Sequence, residues 1–193
     1  MRLAPDELWL DRFARRLGFG WLAARLPWQT PPSVLYAVVT VPVFTAALQV
    51  YRVAEGGKLI YEINPYMALQ PVILVGGAVA AHLLHRSYGR VADEMNLRER
   101  AADPGPLVAP IPRWLAPGLF ALAVVLQLLR AVFGPGYPTT ADLVANVVVL
   151  PFVYAPIVAQ FSAVYLAIEF VAPYRIARSD VGVHFLDPQG VGG

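Results

Sequence analysis

Four carboxamides, one in each of four long apolar stretches, are the first residues whose type and spacing invite a chemical reading: Gln49, Gln70, Gln127 and Asn146. Each lies a few residues inside the same end of its stretch, and Arg130 and Asp142 lie at a similar or shallower depth. Polar groups within a membrane tend to face the interior of a helix bundle. This placement predicts a hydrogen-bonded amide layer near one face, with Arg130 paired to Asp142, forming the mouth of a water-filled pocket. The competing reading is that each amide only reaches water among the headgroups, since none sits at the bilayer centre.

Other constellations offer less chemistry. His82 and His85 stand at i,i+3, a spacing that can present two imidazoles to one metal. A membrane haem would draw histidines from facing helices, and the other three stretches have none, so no metal or other cofactor is expected, and these side chains are read as reaching the interface or bonding a neighbouring carbonyl. Glu169 is expected to form a boundary salt bridge with Arg86 or Arg113. Ser162 lies about two turns from it, too far for a catalytic dyad. Pro42, Pro151 and Pro156 sit near mid-depth and are expected to kink their helices. Thr40 or a neighbouring helix is expected to meet the carbonyl that Pro42 frees. No catalytic residue is assigned.

The elements that must position these groups are apolar. Of the 193 residues 58% are hydrophobic and only 15% charged, and mean hydropathy is +0.55. A soluble domain carries about a quarter charged residues, so the composition indicates a membrane protein. Spans are expected at about 33–51, 66–84, 114–133 and 143–168. The last is the longest of the four, carries no charge, and exceeds what a hydrocarbon layer of about 30 Å requires. Gly76, Gly77 and Ala81 give span 2 a small face, with Gly77 and Ala81 as a small-xxx-small pair suited to close helix packing. The tight turn 134–142 makes spans 3 and 4 antiparallel neighbours. Between spans 2 and 3, Pro104, Pro106, Pro110 and Pro112 predict an extended segment. Before them, Arg90/Glu94 and Glu94/Arg98 are expected to pair on a continuing helix.

Ahead of the spans, Asp6 to Leu26 has amphipathic periodicity. Trp9, Leu10, Phe13, Ala14, Leu17, Trp21 and Ala24 fall on one side, and Glu7, Asp11, Arg12, Arg15, Arg16 and Arg25 on the other. This predicts a helix lying in the headgroup region, with a soluble helix packed on the membrane domain as the alternative. The fold expected is all-α: an integral membrane four-helix bundle with an N-terminal amphipathic interfacial helix. Its parts are an amphipathic segment 1–28, a membrane domain 29–174 and a tail 175–193.

Twelve lysines and arginines flank one set of span ends and three flank the other. The positive-inside rule then places both termini and the 85–113 connection in the cytoplasm, with the chain in the cell membrane. With no cysteine, disulfides and thiolate chemistry are excluded. The net charge of +2 gives no reason to expect a nucleic-acid partner. The expected partners are the lipid bilayer and a second copy or another membrane subunit.

The tail carries His184, Asp187-Pro188 and a run ending in Gly190, Gly192 and Gly193. It resembles a loop of uncharacterised prokaryotic multi-span membrane proteins, in which an Asp-Pro, Gly-Gly segment leads from one span toward another. The resemblance covers about ten residues of this chain. It implies no activity, and it suggests a polypeptide that is the front part of a longer one. The functional expectation is a non-enzymatic structural, sensory or partner-binding membrane module. A small-solute transporter or channel component is the alternative.

Overall fold

A computed structural model describes residues 7–27, 30–134, 136–137 and 139–181. The described residues form helices and connecting turns, with no strand among them. Four helices are long and apolar enough to cross a membrane: span 1 (Pro32–Ala54), span 2 (Pro65–Glu94), span 3 (Leu115–Phe133) and span 4 (Thr140–Ala177). The chain is an all-α membrane bundle.

Span 4 is its axis. The apolar window of span 4 is 56% buried, against 6% for span 3. Spans 2 and 3 both pack on its central segment, and span 1 meets its first half. The main core takes Tyr36, Ala37 and Val41 from span 1, Leu74 and Ala78 from span 2, and Val149, Val153 and Ile157 from span 4.

The prolines of span 4 shape its backbone. It is α-helical over Thr140–Val144, π-helical over Ala145–Tyr154, α-helical over Ala155–Leu166, π-helical over Ala167–Val171 and α-helical over Ala172–Ala177. Each π segment ends two residues before a proline, Pro156 or Pro173. A proline ring clashes with the carbonyl four residues back, and a widened turn gives the ring room. The proline then sits in the first turn of the next α segment, where a missing N–H costs least.

Tyr36 repairs the gap that Pro156 leaves. In a regular α-helix the Phe152 carbonyl would accept from residue 156, which has no N–H. The Tyr36 hydroxyl donates to Phe152 O at 3.0 Å and Val153 O at 3.2 Å, sharing one proton between them. Pro42 is treated differently. Span 1 continues through it, and the Thr40 hydroxyl donates to Tyr36 O at 2.7 Å. The expectation that Thr40 meets the carbonyl freed by Pro42, that of Val38, is therefore corrected.

The amphipathic segment is not one helix. It forms Trp9–Arg16 and Phe19–Ala23, broken at Gly18, whose φ of +92° is a left-handed conformation open to glycine. The first helix joins the core, with Leu10 and Ala14 both 0% exposed. Burying a leucine side chain contributes about 1.5–3 kcal/mol relative to leaving it in water. Only the second helix presents its tryptophan outward: Trp21 is 62% exposed, with the Arg25 guanidinium 3.6 Å from the ring centre.

The 85–113 connection folds back on itself instead of extending. Span 2 runs on to Glu94, and Asn96, with φ +50°, ends it. Glu94 and Arg98 therefore do not share a helix, and Arg98 pairs with Asp93 at 3.4 Å. Gly105–Val108 makes a helical turn despite Pro106, which occupies a first-turn position, and Leu107 is buried with Ala92, Leu97 and Val181. Arg175 fastens this connection by donating to Pro106 O at 2.9 Å and Pro110 O at 3.3 Å.

The small face of span 2 is only half used. Ala78 and Ala81 are buried, but a Cβ on Gly76 or Gly77 would meet nothing within 4 Å. The Gly77/Ala81 pair is thus not a close helix contact within one chain, because neighbouring helices lie against the alanines only.

Candidate functional site

Helices leave their first N–H groups without partners inside the helix, and a neighbouring side-chain oxygen usually accepts one of them. Several N-termini here lack that local residue. Leu8, Pro31 and Leu59 precede helices and offer no side-chain cap. Distant side chains take over, and they tie the molecule together at both ends.

At one end Gln49 accepts from Ile60 N at 2.8 Å, closing the first loop onto span 1. Glu55 accepts from Ala141 N at 3.0 Å, in the first turn of span 4. Thr139 and Asp142 cap each other: Asp142 N donates to the Thr139 hydroxyl at 3.1 Å, and that hydroxyl donates to the Asp142 carboxylate at 2.7 Å. Arg52 pairs with Asp142 at 3.1 Å, both side chains less than one-fifth exposed. The expected Arg130–Asp142 pair is corrected accordingly. Arg52 reaches Asp142 from span 1, whereas Arg130 lies on the exposed side of span 3.

The four amides do not bond to one another among the described residues. Asn146 donates to Asp142 O in its own helix at 2.8 Å, Gln70 is half-buried, and the Gln127 side-chain oxygen is buried without a partner. A cavity of about 560 Å³ at this end is lined by Glu55, Tyr137, Thr139, Thr140 and Leu143, and by none of the amides. The expected amide layer is therefore replaced by caps and one ion pair that join loops to spans.

Around the N-terminal helix, contacts between three pairs of elements close a triangle. Gln160, near the middle of span 4 and 1% exposed, accepts from Leu10 N at 2.9 Å. Leu10 is in the first turn of the N-terminal helix, so Gln160 is that helix's cap. Asp11, 6% exposed, accepts from Ser33 N at 3.0 Å in the first turn of span 1, where a carboxylate also meets the positive end of the helix dipole. Tyr36 of span 1 returns to span 4 through Phe152 and Val153. Aromatic rings fill the interior. Phe13 and Phe19 stand edge-on to Tyr36 at 5.7 and 5.5 Å, and Trp9 lies 5.5 Å from Phe120 of span 3.

Two cavities flank the docked helix, and Glu7 and His85 line both. One, of about 550 Å³, lies between the helix, the proline-rich connection and the bases of spans 3 and 4. The other, of about 750 Å³, lies against span 2 and includes Asp11, His82 and Arg86. The Nδ1 atom of His82 is buried without a partner. Among the described residues, no group of three or more His, Asp or Glu is placed so that it could hold a metal ion. Glu169 is exposed and, among the described residues, pairs with neither Arg86 nor Arg113. The tail from His184 to Gly193 lies outside the described residues.

Sequence reasoning missed Gln160, Asp11, Ser33 and Arg52. Gln160 had a signal: a carboxamide in the middle of the most apolar span, where an unpaired amide is expensive. Asp11 carried none, since on a helical wheel it falls with the solvated charges. Compared with protein-family models, with curated proteins and with solved structures, the chain matches none.

Proposed function

We propose that this chain is a non-enzymatic membrane module, sensory or partner-binding in character, whose working end is the one holding the N-terminal helix. The observation that carries this reading is the Leu10–Gln160 bond. The first helix of an amphipathic segment that would otherwise spread on the bilayer is seated inside the bundle by polar contacts at Leu10 and Asp11, adjacent residues of its first turn. Such an element can report on, or be released by, whatever occupies the neighbouring cavities.

This end is read as cytoplasmic, with the chain in the cell membrane and both termini inside. The support is its twelve lysines and arginines against three at the other end. The N-terminal segment, the 85–113 connection and Arg175 also meet there in space. Because the chain has no native cysteine, single cysteines test the threading cleanly. Arg98→Cys is expected to resist a membrane-impermeant maleimide in intact cells, and Gly136→Cys to react. The reverse pattern turns the assignment over.

The alternative, a small-solute transporter or channel component, draws on the prolines and π segments of span 4, since broken helices build many transport sites. Reconstituted protein is expected to give no flux across a broad panel of solutes. Saturable flux of any one of them would replace the first reading with the second.

A further inference from the structure

The cavity of about 550 Å³ beside the N-terminal helix has an uneven charge. Arg12, Arg113 and Arg175 line it, and among the described residues Glu7 is its only acid. That acid is ion-paired with Arg15 at 3.1 Å, although its buried Oε1 accepts no hydrogen bond. The Arg12 Nε is buried without a hydrogen-bond partner, and no described acid pairs with Arg12 or Arg113. Arg175 spends one nitrogen on two carbonyls of the connection and so is fixed in place. A buried guanidinium nitrogen without an acceptor is costly, and a site that tolerates one is short of an anion.

The remaining walls are mostly apolar, with Leu8, Trp9, Ile111 and Ala116 among them, and the polar groups His85 and Gln160 complete the lining. The volume falls in the range of pockets for small ligands. A basic mouth over an oily wall at the end of a membrane bundle matches a headgroup with its chains attached.

We propose that this cavity binds a phosphate group attached to an apolar body, with the phosphate on Arg12 and Arg113 and the apolar part against Trp9 and Ile111. The proposal deepens the functional reading above by naming the ligand class of its working end. Two sources share this chemistry, an anionic phospholipid of the surrounding leaflet and a soluble phosphate ester. The rule that a lipid-facing arginine contributes about 1 kcal/mol sets the expected effect of losing one at about a fivefold weaker binding.

The test uses the full chain in dodecyl maltoside, with phosphatidylglycerol, phosphatidylcholine and glycerol 3-phosphate as probes. Bound lipid is read by native mass spectrometry and by the shift in Tm. Phosphatidylglycerol is expected to bind in preference to phosphatidylcholine. Arg12→Gln and Arg113→Gln should each weaken it about fivefold, while Arg16→Gln, exposed and outside the cavity, should not. Arg113 is exposed, so its variant should keep the fold even if Arg12→Gln does not. Glycerol 3-phosphate binding as tightly as the lipid would support the site and assign the soluble source. Equal binding of the two lipids, or equal loss in Arg16→Gln, overturns the proposal. Neither result bears on the threading or flux tests, so the two readings fail separately.

Discussion

The side-chain oxygen of Gln160 accepts the backbone N–H of Leu10 at 2.9 Å across 150 positions of sequence. A residue in the middle of one membrane helix thus caps another helix that has no cap of its own. Removing it leaves a buried N–H unmet, at a cost of about 1–3 kcal/mol. Gln160→Leu is expected to lose that amount of docking energy. Amide hydrogen exchange over residues 9–16 should speed up while spans 1 to 4 keep their protection. Unchanged exchange in that helix would show that the bond contributes nothing.

Asp11 and Ser33 form the second corner. A bond to a charged acceptor contributes about 1.5–3 kcal/mol. Asp11→Leu should therefore destabilise the protein in detergent by that order. Asp11→Asn, which keeps an acceptor but loses the charge at the helix dipole, should cost less. Equal losses from both would mean that the charge, not the hydrogen bond, holds this corner.

Tyr36 and Pro156 make a testable pair. Tyr36→Phe removes the donor to the carbonyl that Pro156 leaves unmet, and about 1–2 kcal/mol of stability should go with it. Adding Pro156→Ala restores a backbone N–H in the helix and should return part of the loss. A double variant no more stable than Tyr36→Phe alone would disconnect the two residues.

At the far end, Arg52 rather than Arg130 holds Asp142. The pair is mostly buried, so its loss should exceed the near-zero value of surface pairs without reaching that of a fully desolvated one, about 1–3 kcal/mol. Arg52→Gln should show this in thermal unfolding, and Arg130→Gln should lie within error of the wild type. The opposite ranking would restore the pairing expected from sequence.

Gly76 and Gly77 face open space within one chain. Alanine at either position should leave the monomer intact or raise its stability by up to about 1 kcal/mol, the usual helix preference for alanine over glycine. Size-exclusion chromatography with light scattering separates that outcome from a loss of self-association, which would place a second copy on this face.

The fold was readable in the sequence because its signal is gross. Four apolar blocks, each about as long as the hydrocarbon core of a bilayer is thick, admit one backbone solution, and the axial role of the fourth follows from its greater length. The boundaries were less readable. Span 2 runs to Glu94 because Asn96, not His85, stops it, and the proline-rich connection folds because Leu107 finds a core. The polar contacts were least readable. Gln49 and Asp142 lie where the apolar pattern puts them, yet their partners depend on which helix ends lack caps. That is a property of the assembled bundle. Asp11 looked solvated on its own helix and became buried only when span 1 was laid beside it.

The account depends on the N-terminal helix being seated among the spans. Trp9 lies 5.5 Å from Phe120 of span 3, so the photo-reactive residue benzoylphenylalanine at position 9 tests this directly in protein reconstituted into lipid. On irradiation, peptide mapping should find the adduct in span 3 around Phe120. Adducts formed only with lipid would mean that the helix lies on the bilayer surface, and would contradict the account.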